Sequence, residues 1–232
     1  MTATSDRPAT APATATVSTH PRTRRAFGVL NLIAGATLAF ALVFQIVEKV
    51  VNNDMIADQY FSYFTILTTM ITIVVVLVGG VMALRRPVDT DLYATIRLAV
   101  VSYAVVTAIV YNLLLRGIPD EGYVVTPWPG EIMHVWMPIF LVVDWLFAPG
   151  RPRLRWSAIG IVVIYPLVWA AFTLVRGAFT GWVPYPFFEF STGFVSIALY
   201  IVGIAAIIIG FASLGIVWSR VRTRSRAAEA VT

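Results

Sequence analysis

The chain has 232 residues, 59% of them apolar and only 12% charged, where soluble domains carry about a quarter charged residues. Runs such as Ile71–Leu84, Ile159–Leu174 and Ile197–Ile209 are almost wholly apolar, and with their flanks they reach the ~20 residues that cross a bilayer, which excludes a soluble fold. The net charge is +5, cysteine is absent and Lys49 is the one lysine, so disulfides, thiolate metal sites and a retinal Schiff base on a late helix are excluded too.

Residues 1–25 are dominated by Thr, Ala and Pro without apolar periodicity and are expected to form a disordered cytoplasmic tail. The first apolar segment, Phe27–Val47, follows Arg22, Arg24 and Arg25 as a signal peptide would, but it is too long and reads as an uncleaved anchor. Further segments follow at Phe61–Leu84, Leu92–Leu115, Glu131–Phe147, Leu154–Val175 and Ser191–Trp218, separated by Pro, Gly or charged residues. The expected fold is therefore all-α, a bundle of six transmembrane helices over residues 26–219 with a basic tail at 220–232. When helices alternate, every basic residue except Lys49, Arg116 and Arg176 falls on one side, Arg85, Arg86, Arg97, Arg151 and the arginines at 220–226 among them. That side should be cytoplasmic and hold both termini, in the cell membrane. Topology explains the basic charge, so no nucleic-acid partner is expected, and no protein partner is legible.

Polar side chains at membrane depth are costly and mark function once ordinary helix contacts are set aside. On the second segment Ser62, Thr65, Thr68, Thr69 and Thr72 recur every three or four residues and form a hydroxyl stripe, which back-bonding to the helix would also explain. The fourth segment carries His134, the one histidine outside the N-terminal tail, and ten residues on Asp144. Ten residues rise ~15 Å, so these two cannot touch. Asp144 lies near the cytoplasmic end, where headgroups, arginines or the bundle interior can receive it. His134 and Thr65 each lie about a turn in from the outer surface, at matching depth, and a histidine in reach of a hydroxyl can remove its proton. Gln45, Glu48, Tyr111, Asn112, Glu131 and Glu189 cluster at the same outer end, and with Thr69 and Tyr185 they are candidates to line one outward pocket. One histidine among scattered carboxylates is a weak metal set, and the chemistry requires no metal and no cofactor. Gly79-Gly80 lacks a phosphate-loop context and reads as helix packing. The outer loops, from Tyr111 to Pro129 and from Trp182 to Glu189, concentrate Trp, Tyr and Pro, as interfacial belts do and as a rigid lid would.

Ser62-Tyr63-Phe64-Thr65, the isolated His134 followed by Pro138 and an acid, and Gly181-Trp182-Val183-Pro184-Tyr185-Pro186-Phe187-Phe188-Glu189 resemble the androgen-induced and androgen-dependent membrane proteins, most of all their bacterial six-helix relatives. The resemblance runs from the second segment onward. Those proteins are integral-membrane threonine hydrolases that cleave fatty acid esters of hydroxy fatty acids. It implies Thr65 as nucleophile, with Thr68 and Thr69 on the same face, and His134 as general base, acting through an acyl-enzyme that water resolves. Asn112, Tyr111 or a backbone N–H would hold the oxyanion.

Two functions follow as expectations. One is a threonine-dependent carboxylic ester hydrolase acting on a membrane lipid with an ester linkage, its carboxylate received by Arg116, Arg176 or Lys49 at the outer rim. The other is a non-catalytic lipid-binding or transport protein using the same cavity.

Overall fold

A computed structural model describes residues 21–118 and 123–229. It is all-α, with six helices long and apolar enough to span a membrane. These are α1 (Pro21–Val51), α2 (Phe64–Arg85), α3 (Asp91–Leu115), α4 (Pro127–Phe147), α5 (Ala158–Thr180) and α6 (Phe194–Glu229). The chain is thus an integral membrane six-helix bundle. Local chemistry sets the ends. The Thr90 hydroxyl accepts from the Tyr93 N–H at 3.2 Å to cap α3, and Gly181, at φ +72°, closes α5 in the left-handed conformation.

Several boundaries shift from their expected places. α1 begins at Pro21, so the expected tail of residues 1–25 ends inside a helix, and its first twenty residues lie outside the described ones. α4 begins at Pro127 in place of Glu131, because proline suits a first helical turn, whose N–H groups have no partner anyway. That sets His134 a full turn deeper than expected. α5 starts at Ala158 in place of Leu154, and α6 at Phe194 in place of Ser191, behind a turn ended by Gly193 at φ +85°.

α1 and α2 pack through glycine. A Cβ on Gly80 would lie 2.6 Å from Leu32 Cγ and 2.8 Å from the Gly28 carbonyl oxygen, so the small residue lets the backbones approach. Gly79 likewise makes room for the Tyr93 ring, whose hydroxyl donates to the Val75 carbonyl at 3.0 Å.

At the arginine-rich end a buried ionic knot joins α1, the α2–α3 connection, α3 and α4. Arg24 donates to Asp89 at 2.7 Å and to the carbonyls of Arg86 and Pro149 at 2.6 and 2.8 Å. Arg97 donates to Asp89 at 3.2 Å and also to Asp144, whose other oxygen accepts from Asn31 at 2.9 Å. Arg24 and Arg97 are 3% and 7% exposed, so both turn inward to these carboxylates.

Two prolines shape the opposite half. Pro166 lies inside α5 and cannot bond the Val162 carbonyl. Tyr103 of α3 donates to that carbonyl at 2.5 Å. Pro138 equally leaves the His134 carbonyl free, and Asn112 Nδ2 of α3 approaches it at 3.5 Å. α4 loosens there into a π-helical stretch, Ile132–Trp136, and α3 does the same at Tyr111–Leu115. Such stretches recur at functional sites.

Asp144→Leu should cost about 3–5 kcal/mol, because it leaves Arg97 short of a buried counter-charge. Adding Arg97→Met should restore most of that loss, since Asp89 keeps Arg24. Thermal unfolding in detergent checks both, and equal loss in the single and double variants would show that the pair is not coupled.

Candidate functional site

A partly open cavity lies between α2, α3, α5, α6 and the loop joining the last two, and its walls are almost entirely apolar. The lining residues with a polar side-chain atom are Thr65, Thr107, Tyr111, Trp169 and Tyr185.

Thr65 is the second residue of α2, in the first turn, whose N–H groups lack helical acceptors. Its N–H donates to the Tyr185 hydroxyl oxygen at 3.5 Å. The rest of the stripe follows the ordinary explanation. Ser62 donates to the Asp58 carbonyl at 2.5 Å, Thr68 to Phe64 at 2.7 Å and Thr72 to Thr68 at 2.7 Å. Thr69 is buried and does not line the cavity. Of the five hydroxyls, then, Thr65 alone faces the cavity.

Tyr185 reaches Thr65 because the loop folds inward. A Cβ on Gly177 would lie 2.6 Å from Val183, so the chain after α5 turns back tightly onto that helix. Tyr185 then stacks on Phe187 at 5.1 Å and packs against Tyr63 and Trp169 at 5.5 and 5.9 Å. Trp169 in turn donates its indole N–H to the Ser62 carbonyl at 3.0 Å. The aromatic loop is a packed cover over the cavity. Burial pushes the Tyr185 phenol up to about 12, so it remains a donor at neutral pH.

His134 lies in the π-helical stretch of α4 and stacks on Tyr111, with ring centroids 3.8 Å apart. Its Nδ1 pairs with the Gly130 carbonyl at 2.8 Å, which places the proton on Nδ1 and leaves Nε2 as an acceptor. His134 does not line the cavity, and among the described residues no hydrogen bond joins it to Thr65. Tyr111 stacks on the imidazole and itself lines the cavity.

The remaining candidates serve the frame. Gln45 accepts from Tyr60 at 2.7 Å, tying α1 to the turn before α2. Glu48 accepts from the Thr126 N–H at 3.0 Å and from its hydroxyl, anchoring the start of α4. Asn112 is exposed and bonds backbone carbonyls of Ala108 and His134. The three outer cations expected to receive a carboxylate are already paired: Lys49 with Asp54 at 2.5 Å, Arg116 with Glu131 at 2.6 Å and Arg176 with Asp58 at 2.6 Å. Among the described residues no three His, Asp or Glu side chains gather to hold a metal ion.

Sequence reasoning missed Thr107. Its hydroxyl is buried at the cavity wall without a hydrogen-bond partner. The only sequence signal was a hydroxyl within an apolar segment, shared with several threonines that bond their own helix.

No family model matches the chain, no characterised protein matches it, and no solved structure matches it.

Thr107→Val keeps the shape and removes the unpartnered hydroxyl, so it should raise stability by about 1 kcal/mol. A higher melting temperature in detergent is the expected result; a lower one would show that the hydroxyl already has a partner.

Proposed function

We propose that the chain is an intramembrane ester hydrolase, with both termini on the cytoplasmic side, that cleaves fatty acid esters of hydroxy fatty acids. The observation that carries this reading is the position of Thr65: a hydroxyl on the wall of an apolar cavity, in the first turn of a helix, against a protonated phenol. Four roles follow. The Thr65 oxygen attacks the ester carbonyl carbon. His134 Nε2, left as an acceptor by the Nδ1 bond to Gly130, takes the Thr65 proton and later delivers it to the departing alkoxide. Tyr185 and the first-turn N–H groups of α2 donate to the oxyanion. Water then resolves the acyl-threonine, with His134 again as base.

The proton must travel between Thr65 and His134 past Tyr111, which stands against both the cavity and the imidazole. Catalytic hydrogen bonds are often long in the empty enzyme and tighten only with substrate, and the π-helical stretches on both α3 and α4 are where that adjustment would occur. The resemblance to membrane threonine hydrolases supports the same roles for Thr65 and His134.

A second reading is a lipid-binding or transport protein. The missing bond between Thr65 and His134 favours it, since a binding cavity needs only apolar walls and a few hydroxyls.

Purified protein in detergent is given a branched fatty acid ester of a hydroxy fatty acid, and released fatty acid is measured. The native chain should hydrolyse it, Thr65→Ala and His134→Ala should be inert while still folded, and Tyr185→Phe should lose about 10²–10³ in rate, as oxyanion donors do. Inactive native protein that retains the intact ester would support the lipid-binding reading. Equal activity in all four proteins would contradict the assignment of the dyad.

A further inference from the structure

The charges at the arginine-rich end do not balance. Each oxygen of Asp89 and Asp144 already accepts from Arg24, Arg97 or Asn31. Arg151, four residues beyond α4, adds another cation with no carboxylate of its own. Its guanidinium lies over the Trp145 ring, 3.7 Å from the centroid, and Nη2 donates to the Asp144 backbone carbonyl at 3.3 Å. Nε and Nη1 are buried without a partner, and so is the indole N–H of Trp145. Arg222 of α6 holds the neighbouring Phe147 carbonyl at 2.6 Å, which adds positive charge beside the same spot.

Such an arrangement is unfavourable as it stands. A buried cation needs a counter-charge, and orphaned donors need acceptors. Burial first, and the Arg97 charge second, disfavour the Arg151 cation, and an incoming anion would offset both. A group that satisfies these donors must bring negative charge and several acceptor oxygens to one place. Arg151 as a whole is partly exposed at the rim of the bundle.

We propose that Arg151 and Trp145 form a binding site for a phosphate-type oxyanion, either the phosphodiester of a membrane lipid or free phosphate. Guanidinium and indole N–H groups donate to its oxygens, while Arg97 and Arg222 add long-range attraction. The site lies at the opposite end of the bundle from the cavity and is independent of the hydrolase reading. Anion binding would lock the loop after α4 onto the ionic knot.

The test is the melting temperature of the detergent-solubilised protein titrated separately with inorganic phosphate, phosphatidylglycerol and diacylglycerol. Phosphatidylglycerol or phosphate should raise it saturably, and diacylglycerol should not. A response to phosphate alone identifies a free anion, and a response to phosphatidylglycerol without phosphate identifies a headgroup. Arg151→Gln should abolish the shift yet melt no lower than native protein without anion, because it removes an uncompensated charge. Trp145→Phe should weaken the response, and Arg153→Gln, at an exposed position, should retain it in full. No shift in native protein, or an undiminished shift in Arg151→Gln, would overturn the site.

Discussion

Arg97 and the two carboxylates it bridges are the constraint on which the rest of the bundle depends. A charge inside a membrane helix is tolerated only when it is paired. Arg97 of α3 satisfies Asp89 and Asp144 together, while Arg24 and Asn31 of α1 complete the set. These groups come from three helices and one connection, so α1, α3 and α4 can meet in one register only. With α3 fixed at that end, its other polar side chains reach defined places. Tyr103 meets the carbonyl that Pro166 frees in α5, and Asn112 approaches the one that Pro138 frees in α4. α3 is the element against which its neighbours are aligned, and half of its apolar window is buried.

The same alignment shapes the cavity. Holding α3 inside the bundle sets Thr107 and Tyr111 opposite Thr65, with α5 and α6 completing the wall. The loop after α5 supplies the cover, because Tyr185, Phe187 and Phe188 pack as one aromatic block against Trp169. Its prolines and rings serve a purpose beyond an interfacial belt, since they carry the Tyr185 phenol to the first turn of α2. Lys49, Arg116 and Arg176 hold structure: each is bonded to an acid, so a lipid carboxylate would have to compete for them.

Much of the fold was legible because a bilayer imposes length and polarity on each segment. The six helices followed from apolar runs, and the Gly79-Gly80 packing from residue size. Sorting charges by side left the partners of Arg24 and Arg97 unread, because it treats every arginine near a helix end alike. Whether a guanidinium turns outward to headgroups or inward to an acid depends on the face it occupies and on what stands opposite. Asp144 had no neighbour within its own helix to announce its partner. For the candidate site, matching depth put forward Thr65 and His134, but nothing in the sequence marked Tyr185 as the neighbour of Thr65, because 120 residues separate them. Leu114–Gly117 and Leu174–Gly177 share the pattern Leu-X-Arg-Gly, yet their glycines do different work. Gly117 ends α3 at φ +93°, whereas Gly177 lies inside α5 and makes room for Val183.

The central claim is that Thr65 is a nucleophile activated by His134. It is tested most directly by treating the folded protein with a lipophilic fluorophosphonate and locating the adduct by peptide mass spectrometry. The account predicts one adduct, on Thr65, formed with loss of fluoride and absent from His134→Ala and from unfolded protein. An adduct on another residue, no adduct at all, or equal labelling of Thr65 without His134 would contradict it.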